Sequence, residues 1–238
     1  MNDHYFKIKA VQKDRGDIYL YDSIGRDGIT AKDFSQQLAA LGAVRKLYMY
    51  INSDGGSVFD GIAIYEHLRR HPAFVTCYID GLAASIASVI ALSADEIVMA
   101  SNAMMMIHDP WMDTSGSGEQ LRKSAEVIDK VQKQILDIYV RRTGSDADTI
   151  RALMRDETWL DAAEAVALGF ADHISEPQRI AAQYDLARFR NPPHFLARHY
   201  GVDIWKQNST RKGMMTRRKL AYCQQKAFEI LREQNRIN

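Results

Sequence analysis

Over its first 175 residues this sequence alternates short apolar runs of strand length with longer segments whose apolar residues recur at helical spacing, and no other feature limits the available folds as much. That order argues for an α/β domain built from βαβ-like units. The strand runs are Asp17 to Tyr21, Lys46 to Ile51, Phe74 to Ile79, Glu96 to Met99 and Met104 to Ile107. Between them, Thr30 is placed to cap a helix reaching Leu41, with Phe34, Leu38 and Leu41 on one face. Val58 to Leu68 repeats the pattern through Ile62, Tyr65 and Leu68, and a further helix is expected to start near Ala84. The longest helix candidate, Glu119 to Arg142, carries Leu121, Ile128, Val131, Ile135 and Ile138 along one stripe. That stripe fits packing on the domain's own core, and it fits equally a face shared with another subunit.

Charge divides the chain in two. Residues 176–238 hold 13 Lys/Arg against 5 Asp/Glu, whereas residues 1–175 hold 18 against 25, so the formal net charge of +1 conceals an acidic part and a basic part. The basic part opens with RNPPHF, contains KQNSTRKGMMTRRK and has one good helix candidate, Met214 to Arg232. We therefore place a boundary near Glu176, separating a domain of residues 1–175 from a basic C-terminal extension of residues 176–238. A solvated appendage and a tether to an assembly partner or to nucleic acid both fit that composition. The two cysteines, Cys77 and Cys223, match neither a redox pair nor a zinc pattern, so a reducing cytoplasm is expected and no metal is implied. The opening MNDHYFKIKA has no signal-peptide core, and the most apolar run, Gly81 to Ala94, is too short to span a bilayer.

Four junctions can carry chemistry. In Ile51-Asn52-Ser53-Asp54-Gly55-Gly56-Ser57, two glycines between a strand and a helix let the backbone approach a ligand and aim N–H groups at negative charge. A plain structural turn is the simpler account of that motif alone, and the Lys-Ser/Thr ending of a phosphate loop is missing. In Asp80-Gly81-Leu82-Ala83-Ala84-Ser85-Ile86-Ala87-Ser88, small residues allow a tight turn that leaves Ser85 in the first turn of the next helix, facing a cleft. Taken singly, Ser85 also fits a helix cap, and Ser88 and Ser93 read as packing residues. Met104-Met105-Met106-Ile107-His108-Asp109-Pro110-Trp111 ends an apolar strand on a histidine, a good position for a general base and also for a structural histidine. In Arg155-Asp156-Glu157-Thr158-Trp159-Leu160-Asp161-Ala162-Ala163-Glu164-Ala165, Asp161 and Glu164 have capping-box spacing, which leaves Asp156 and Glu157 to orient a histidine.

Taken together, INSDGGSVFDGIAIYEHL, GLAASIASVIALSAD, MMIHDP and ETWLDAAEAVALGFAD resemble, in order and spacing, the motifs of the ClpP family of serine peptidases, the proteolytic subunits of Clp protease. The resemblance covers residues 17–175. It implies the ClpP/crotonase-like spiral of ββα units, with Ser85 as nucleophile, His108 as general base, and the backbone N–H groups of Gly56 and Ile86 as the oxyanion hole. The third member matches Glu157, where the family usually has aspartate, with Asp156 as the alternative. Asp54, Leu82 and Asp109 also depart from the family's usual proline, glutamine and glutamine. The resemblance further implies protein or peptide substrates, no cofactor, and a homo-oligomeric ring, with the Glu119 to Arg142 helix matching the family's handle region between rings. The ETW form of the acidic motif and the basic extension resemble phage or prophage head maturation proteases, which trim scaffold and capsid proteins. The alternatives are a cellular degradative peptidase fed by an ATPase unfoldase, a crotonase-like CoA-thioester enzyme, and an inactive ring scaffold. A Ser-Lys dyad is disfavoured, because Lys46 is the nearest lysine to any motif and sits at the far end of its strand.

Overall fold

A computed structural model of the protein describes residues 5–175. The basic extension, its helix candidate Met214 to Arg232 and Cys223 lie outside the described residues. The order of elements is β1 (Phe6–Gln12), β2 (Arg15–Leu20), α1 (Ala31–Ala40), β3 (Lys46–Ser53), α2 (Val58–Arg69), β4 (Phe74–Ala84), α3 (Ile86–Ala91), β5 (Glu96–Ala100), β6 (Met104–Ile107), α4 (Gly118–Thr143), α5 (Ala147–Arg155), β7 (Thr158–Asp161), α6 (Ala162–Ala167) and β8 (His173–Ser175). This is the expected α/β architecture.

One sheet organises it, in the order β1-β2-β3-β4-β5-β8, with β6 and β7 branching from β4. β1 and β2 form an antiparallel hairpin, and β2, β3, β4, β5 and β8 are parallel, as helical crossovers require. Period-2 side-chain alternation explains the two faces of the sheet. Ile18, Leu20, Leu47, Met49, Ile51, Val75, Cys77 and Ile79 are buried in one core with Phe34 and Leu38 of α1 and Ile64 and Leu68 of α2. The intervening Tyr19, Tyr50 and Tyr78 stack on the opposite face, with ring centroids 4.9 and 5.3 Å apart.

Helix starts follow the local chemistry. Thr30 caps α1 by accepting the Asp33 N–H, and Ser57 caps α2 by accepting the Asp60 N–H. The buried face of α2 is Gly61, Ile64, Tyr65 and Leu68, rotated from the expected stripe so that Ile62 is only partly buried. The reason is Gly61, where a Cβ would come within 2.1 Å of Ile86 Cγ1, so α2 turns this residue toward α3 to allow the two helices to touch.

Three further departures matter. β4 continues to Ala84, so the helix expected near Ala84 begins at Ile86 and Ser85 lies before its first turn. In α4 only the C-terminal half is core: Ile135, Leu136, Ile138 and Tyr139 are buried, while Leu121 and Val127 toward its start are more than 40 % exposed. Finally, β1, β7, β8 and α5 are not among the expected elements. β7 and β8 are only four and three residues long, too short to give a periodicity signal, whereas β1 did carry one, Phe6, Ile8 and Ala10 alternating with Lys7 and Lys9. α5 did carry a signal, an Asp146 cap followed by Ile150, Leu153 and Met154.

Phe34 of α1 is fully buried and Phe59 of α2 is 67 % exposed, so the same substitution separates packing from mere hydrophobicity. Phe34→Ala is expected to lower unfolding stability by about 3–5 kcal/mol. Phe59→Ala is expected to change it by less than about 0.5 kcal/mol. Urea unfolding followed by tryptophan fluorescence checks both.

Candidate active site

The site is assembled by β4 changing neighbours. Thr76 to Ile79 pair with β5, whereas Leu82 to Ala84 pair in parallel with Met104 to Met106 of β6. Opposite β3 the register shifts between Ile51↔Ile79 and Ser53↔Ala83, so β4 has two more residues than its neighbour at Asp80 and Gly81. Asn52 bridges the irregularity, its Oδ1 accepting the Leu82 N–H at 3.1 Å. One residue past the last pair with β6, the Ser85 N–H donates to Met106 O at 2.9 Å, which continues the ladder into the turn.

Ser85 occupies the N-cap position of α3, yet its side chain makes no capping hydrogen bond. Its backbone has φ 56° and ψ −128°, outside the regions an L-residue ordinarily occupies. That conformation turns Oγ away from the helix and toward β6, where it lies 2.7 Å from Nε2 of His108. The structure thus brings these two predicted residues into direct hydrogen-bond contact. The helix-cap account of Ser85 does not describe this geometry.

His108 follows the last residue of β6. The chain after it is held at two points, by the Asp109 N–H donating to Met154 O at 3.1 Å and by Gln132 of α4 donating through Nε2 to Asp109 Oδ1 at 2.6 Å. β7 pairs antiparallel with β6 from Met104↔Asp161 to Ile107↔Thr158, so Glu157 stands directly before the Thr158 that pairs with Ile107, the residue before His108. Glu157 is buried at 8 % exposure, with φ 49°. The Asp156 side chain is 46 % exposed and lies 3.8 Å from Arg155. Among the described residues, Ser85 and Glu157 are the non-glycine residues with positive φ. Asp161 and Glu164 form the expected capping box at the start of α6.

The glycine turn seals the other side. The Ile24 N–H donates to Gly55 O at 2.7 Å and the Ser57 N–H to Ile24 O at 2.8 Å, the bridge pattern that points the N–H of the intervening Gly56 away from Ile24. Gly55 has φ 88°, and a Cβ there would lie 2.5 Å from Ala84 O and 2.8 Å from Ser85 Cβ, so the turn rests directly on the Ser85 segment. Ser53 fixes it from below, accepting the Gly55 N–H at 3.1 Å and donating to Asp22 O at 2.6 Å. Asp54 is buried and accepts from Ser23 Oγ at 2.9 Å. Beside the bulge, Tyr21 donates to Asp80; burial pushes the Asp80 carboxyl above the usual carboxylate range, and this hydrogen bond partly offsets the shift. Lys46 stands at the opposite end of β3, on the order of 20 Å along the strand from Ser53.

Sequence reasoning assigned Ser88 to packing, and the structure gives it more. Its Oγ donates to Ser85 O at 2.6 Å and lies 2.7 Å from the Tyr139 hydroxyl. No sequence signal marked the pair, because the two residues lie 51 positions apart. Ser93, in the turn just past α3, donates back to the Ile90 carbonyl at 2.7 Å, in keeping with a packing role.

Comparison with known proteins adds an independent line. The profile of the Clp protease family matches residues 2–178. The ATP-dependent Clp protease proteolytic subunit 1 of Leifsonia xyli subsp. xyli is 32 % identical over 147 residues, which cover 61 % of this chain and 75 % of the relative. The ATP-dependent Clp protease proteolytic subunit of Bdellovibrio bacteriovorus is 32 % identical over 140 residues, covering 57 % and 66 %, and that of Pleurastrum terricola is 32 % identical over 133 residues, covering 55 % and 68 %.

Two expectations follow from the geometry. Gly55→Ala meets backbone at 2.5 Å as well as an unfavourable φ, whereas Gly42, at φ 75°, has open space around it. Gly42→Ala is expected to cost about 1–2 kcal/mol; Gly55→Ala is expected to cost more in urea unfolding and to displace Ser85. For Asp80, a folded pKa above the unfolded one stabilises the protein below the ordinary carboxylate range, and that stability is lost as pH rises through the folded value. The stability of the wild type relative to Asp80→Asn should therefore fall as pH is raised from 3 toward neutrality, as read from denaturant midpoints across ~5 pH values.

Proposed function

This chain belongs to the Clp protease family of serine peptidases, and we propose that within it Ser85, His108 and Glu157 act as nucleophile, general base and orienting acid. The observation that carries this reading is the 2.7 Å contact between Ser85 Oγ and His108 Nε2, made by a serine whose backbone is turned out of the helix it precedes. His108 accepts the Ser85 proton as Oγ attacks the peptide carbonyl carbon. The carbonyl oxygen becomes an oxyanion, stabilised by the backbone N–H groups of Gly56 and Ile86. Collapse expels the amine, which takes the proton from His108, and leaves an acyl-enzyme on Ser85. Water then attacks the ester, giving its proton to His108, and the carboxylic acid product departs with Ser85 restored. Glu157 holds the imidazole in the tautomer that presents an unprotonated Nε2 to the serine. Its burial and its place directly before Thr158, the partner of Ile107, favour it over the half-exposed Asp156.

We read the working form as a homo-oligomer. The projecting half of α4 leaves Leu121 and Val127 uncovered, and a second copy of the chain is the natural partner for such a face. Among the described residues no helix is long and apolar enough to cross a membrane. The setting we favour is phage head maturation, with scaffold and capsid proteins as substrates, because the ETW acidic motif and the +8 balance of residues 176–238 resemble those proteases. The names of the relatives, ATP-dependent proteolytic subunits, favour a second reading in which an ATPase delivers the substrate.

A fluorophosphonate serine probe with intact-mass readout tests the site. One adduct is expected on the wild type and none on Ser85→Ala or His108→Ala at unchanged oligomeric state; an adduct that persists in Ser85→Ala would sink the assignment. Glu157→Gln should lower kcat by ~10²-fold or more, by analogy with loss of the acid from a serine-protease triad. Asp156→Asn should leave kcat within about threefold, as expected of an exposed surface change. Cleavage of unfolded protein by the purified chain alone would support the maturation setting. Strict dependence on an added ATPase would support the second.

A further inference from the structure

The peptide group between Ser85 and Ile86 has two ends. Its carbonyl belongs to Ser85, and its N–H belongs to Ile86, the oxyanion donor of the mechanism above. Because the group is planar and trans, fixing the direction of the carbonyl fixes the direction of the N–H on the opposite side. The carbonyl is held twice, by the Ser88 N–H at 3.0 Å and by Ser88 Oγ at 2.6 Å. A backbone N–H bond of this kind recurs in any turn that opens a helix, but the hydroxyl bond depends on the side chain. Ser88 is fully buried, and once its hydroxyl proton is directed at Ser85 O, its oxygen can only accept from Tyr139, 2.7 Å away. Burial pushes the Tyr139 phenol well above its ordinary range, so it remains a donor at any working pH. The hydrogen bonds therefore run in one direction, from Tyr139 to Ser88 to the Ser85 carbonyl.

We propose that Tyr139 of α4 is a positioning residue that acts through the Ser88 hydroxyl to hold the Ser85–Ile86 peptide with its N–H aimed at the oxyanion. This inference rests on the assignment of Ser85 and Ile86 above. Tyr139 is itself firmly anchored, since it is 1 % exposed and its ring packs edge-on against Phe170 with centroids 5.6 Å apart. The strained backbone of Ser85 explains why such a hold is needed. With φ at 56°, the turn has no intrinsic preference for the orientation it adopts, and a fixed external partner must supply one. Through this relay the buried half of α4 bears on transition-state stabilisation, although neither Tyr139 nor Ser88 belongs to the proposed triad or oxyanion hole.

The test is steady-state hydrolysis of a chromogenic peptide ester by the full chain carrying Tyr139→Phe, Ser88→Ala, both together, or Ser85→Ala. Tyr139→Phe keeps the ring and its packing, and Ser88→Ala removes one oxygen from a helix, so both variants are expected to fold; urea unfolding verifies this. A relay predicts that Ser88→Ala lowers kcat by about 10-fold with KM unchanged, since small misplacements of a catalytic group cost up to about 10²-fold. It also predicts a smaller loss for Tyr139→Phe, and a double variant no slower than Ser88→Ala alone. Wild-type kcat in both single variants, with or without reduced stability, overturns the proposal, as do independent losses that multiply in the double variant. Activity surviving in Ser85→Ala overturns it for a different reason, by removing the nucleophile on which it rests.

Discussion

The site depends on the parallel pairing of the C-terminal half of β4 with β6. Had β4 kept β5 as its neighbour throughout, Ser85 and His108 would sit on strands that never meet. The two additional residues at Asp80 and Gly81 let β4 leave β5 and take up Met104 to Met106 instead. An insertion of two preserves which side chains face the core while bending the strand, whereas an insertion of one would have reversed every side chain beyond it. Ser85 and His108 then emerge side by side from two adjacent strand ends, and β7, paired on the far side of β6, carries the acidic segment to the same place.

Strain is concentrated at this junction. Ser85 and Glu157 have positive φ, as do the glycines Gly55 and Gly56 of the turn that rests on Ser85. A non-glycine residue in such a conformation costs on the order of 1–3 kcal/mol and persists only where its surroundings over-determine it. Here they do so through hydrogen bonds from several directions: Met106 and Ser88 on the Ser85 backbone, Met154 on the Glu157 N–H, and Ser53 and Ile24 on the glycine turn. The long helix α4 contributes from one side, with Gln132 bonded to the residue after His108 and Tyr139 bonded to Ser88 two turns later. Its buried half therefore joins the core to both the Ser85 and the His108 segments, while its other half is exposed.

Much of this was legible in the sequence, for local reasons. The five apolar strands and the helices between them appeared as periodicity, and the Thr30 cap and the Asp161–Glu164 box appeared as short-range spacing. Ser85 and His108 each fitted a structural role when taken singly, and stood out through the order and spacing of the four motifs together. The misses share another cause. β7 and β8 are too short to show alternation, β4 looked finished at Ile79 because Asp80 and Gly81 interrupt its apolar run, and Ser88 looked like packing because its partner lies in a helix 51 residues away.

By itself, then, the sequence determined the α/β architecture and the strand-to-helix junctions, because hydrophobic periodicity and turn chemistry act over a few residues and are written where they act, and it singled out Ser85 and His108 through the order and spacing of four motifs. Only the tertiary structure decided that β4 exchanges β5 for β6, that Glu157 is buried where Asp156 is half exposed, and that Ser88 and Tyr139 join. Each of these is a pairing between segments distant in the chain, and its register is set by sheet hydrogen bonds and helix packing that no local pattern records.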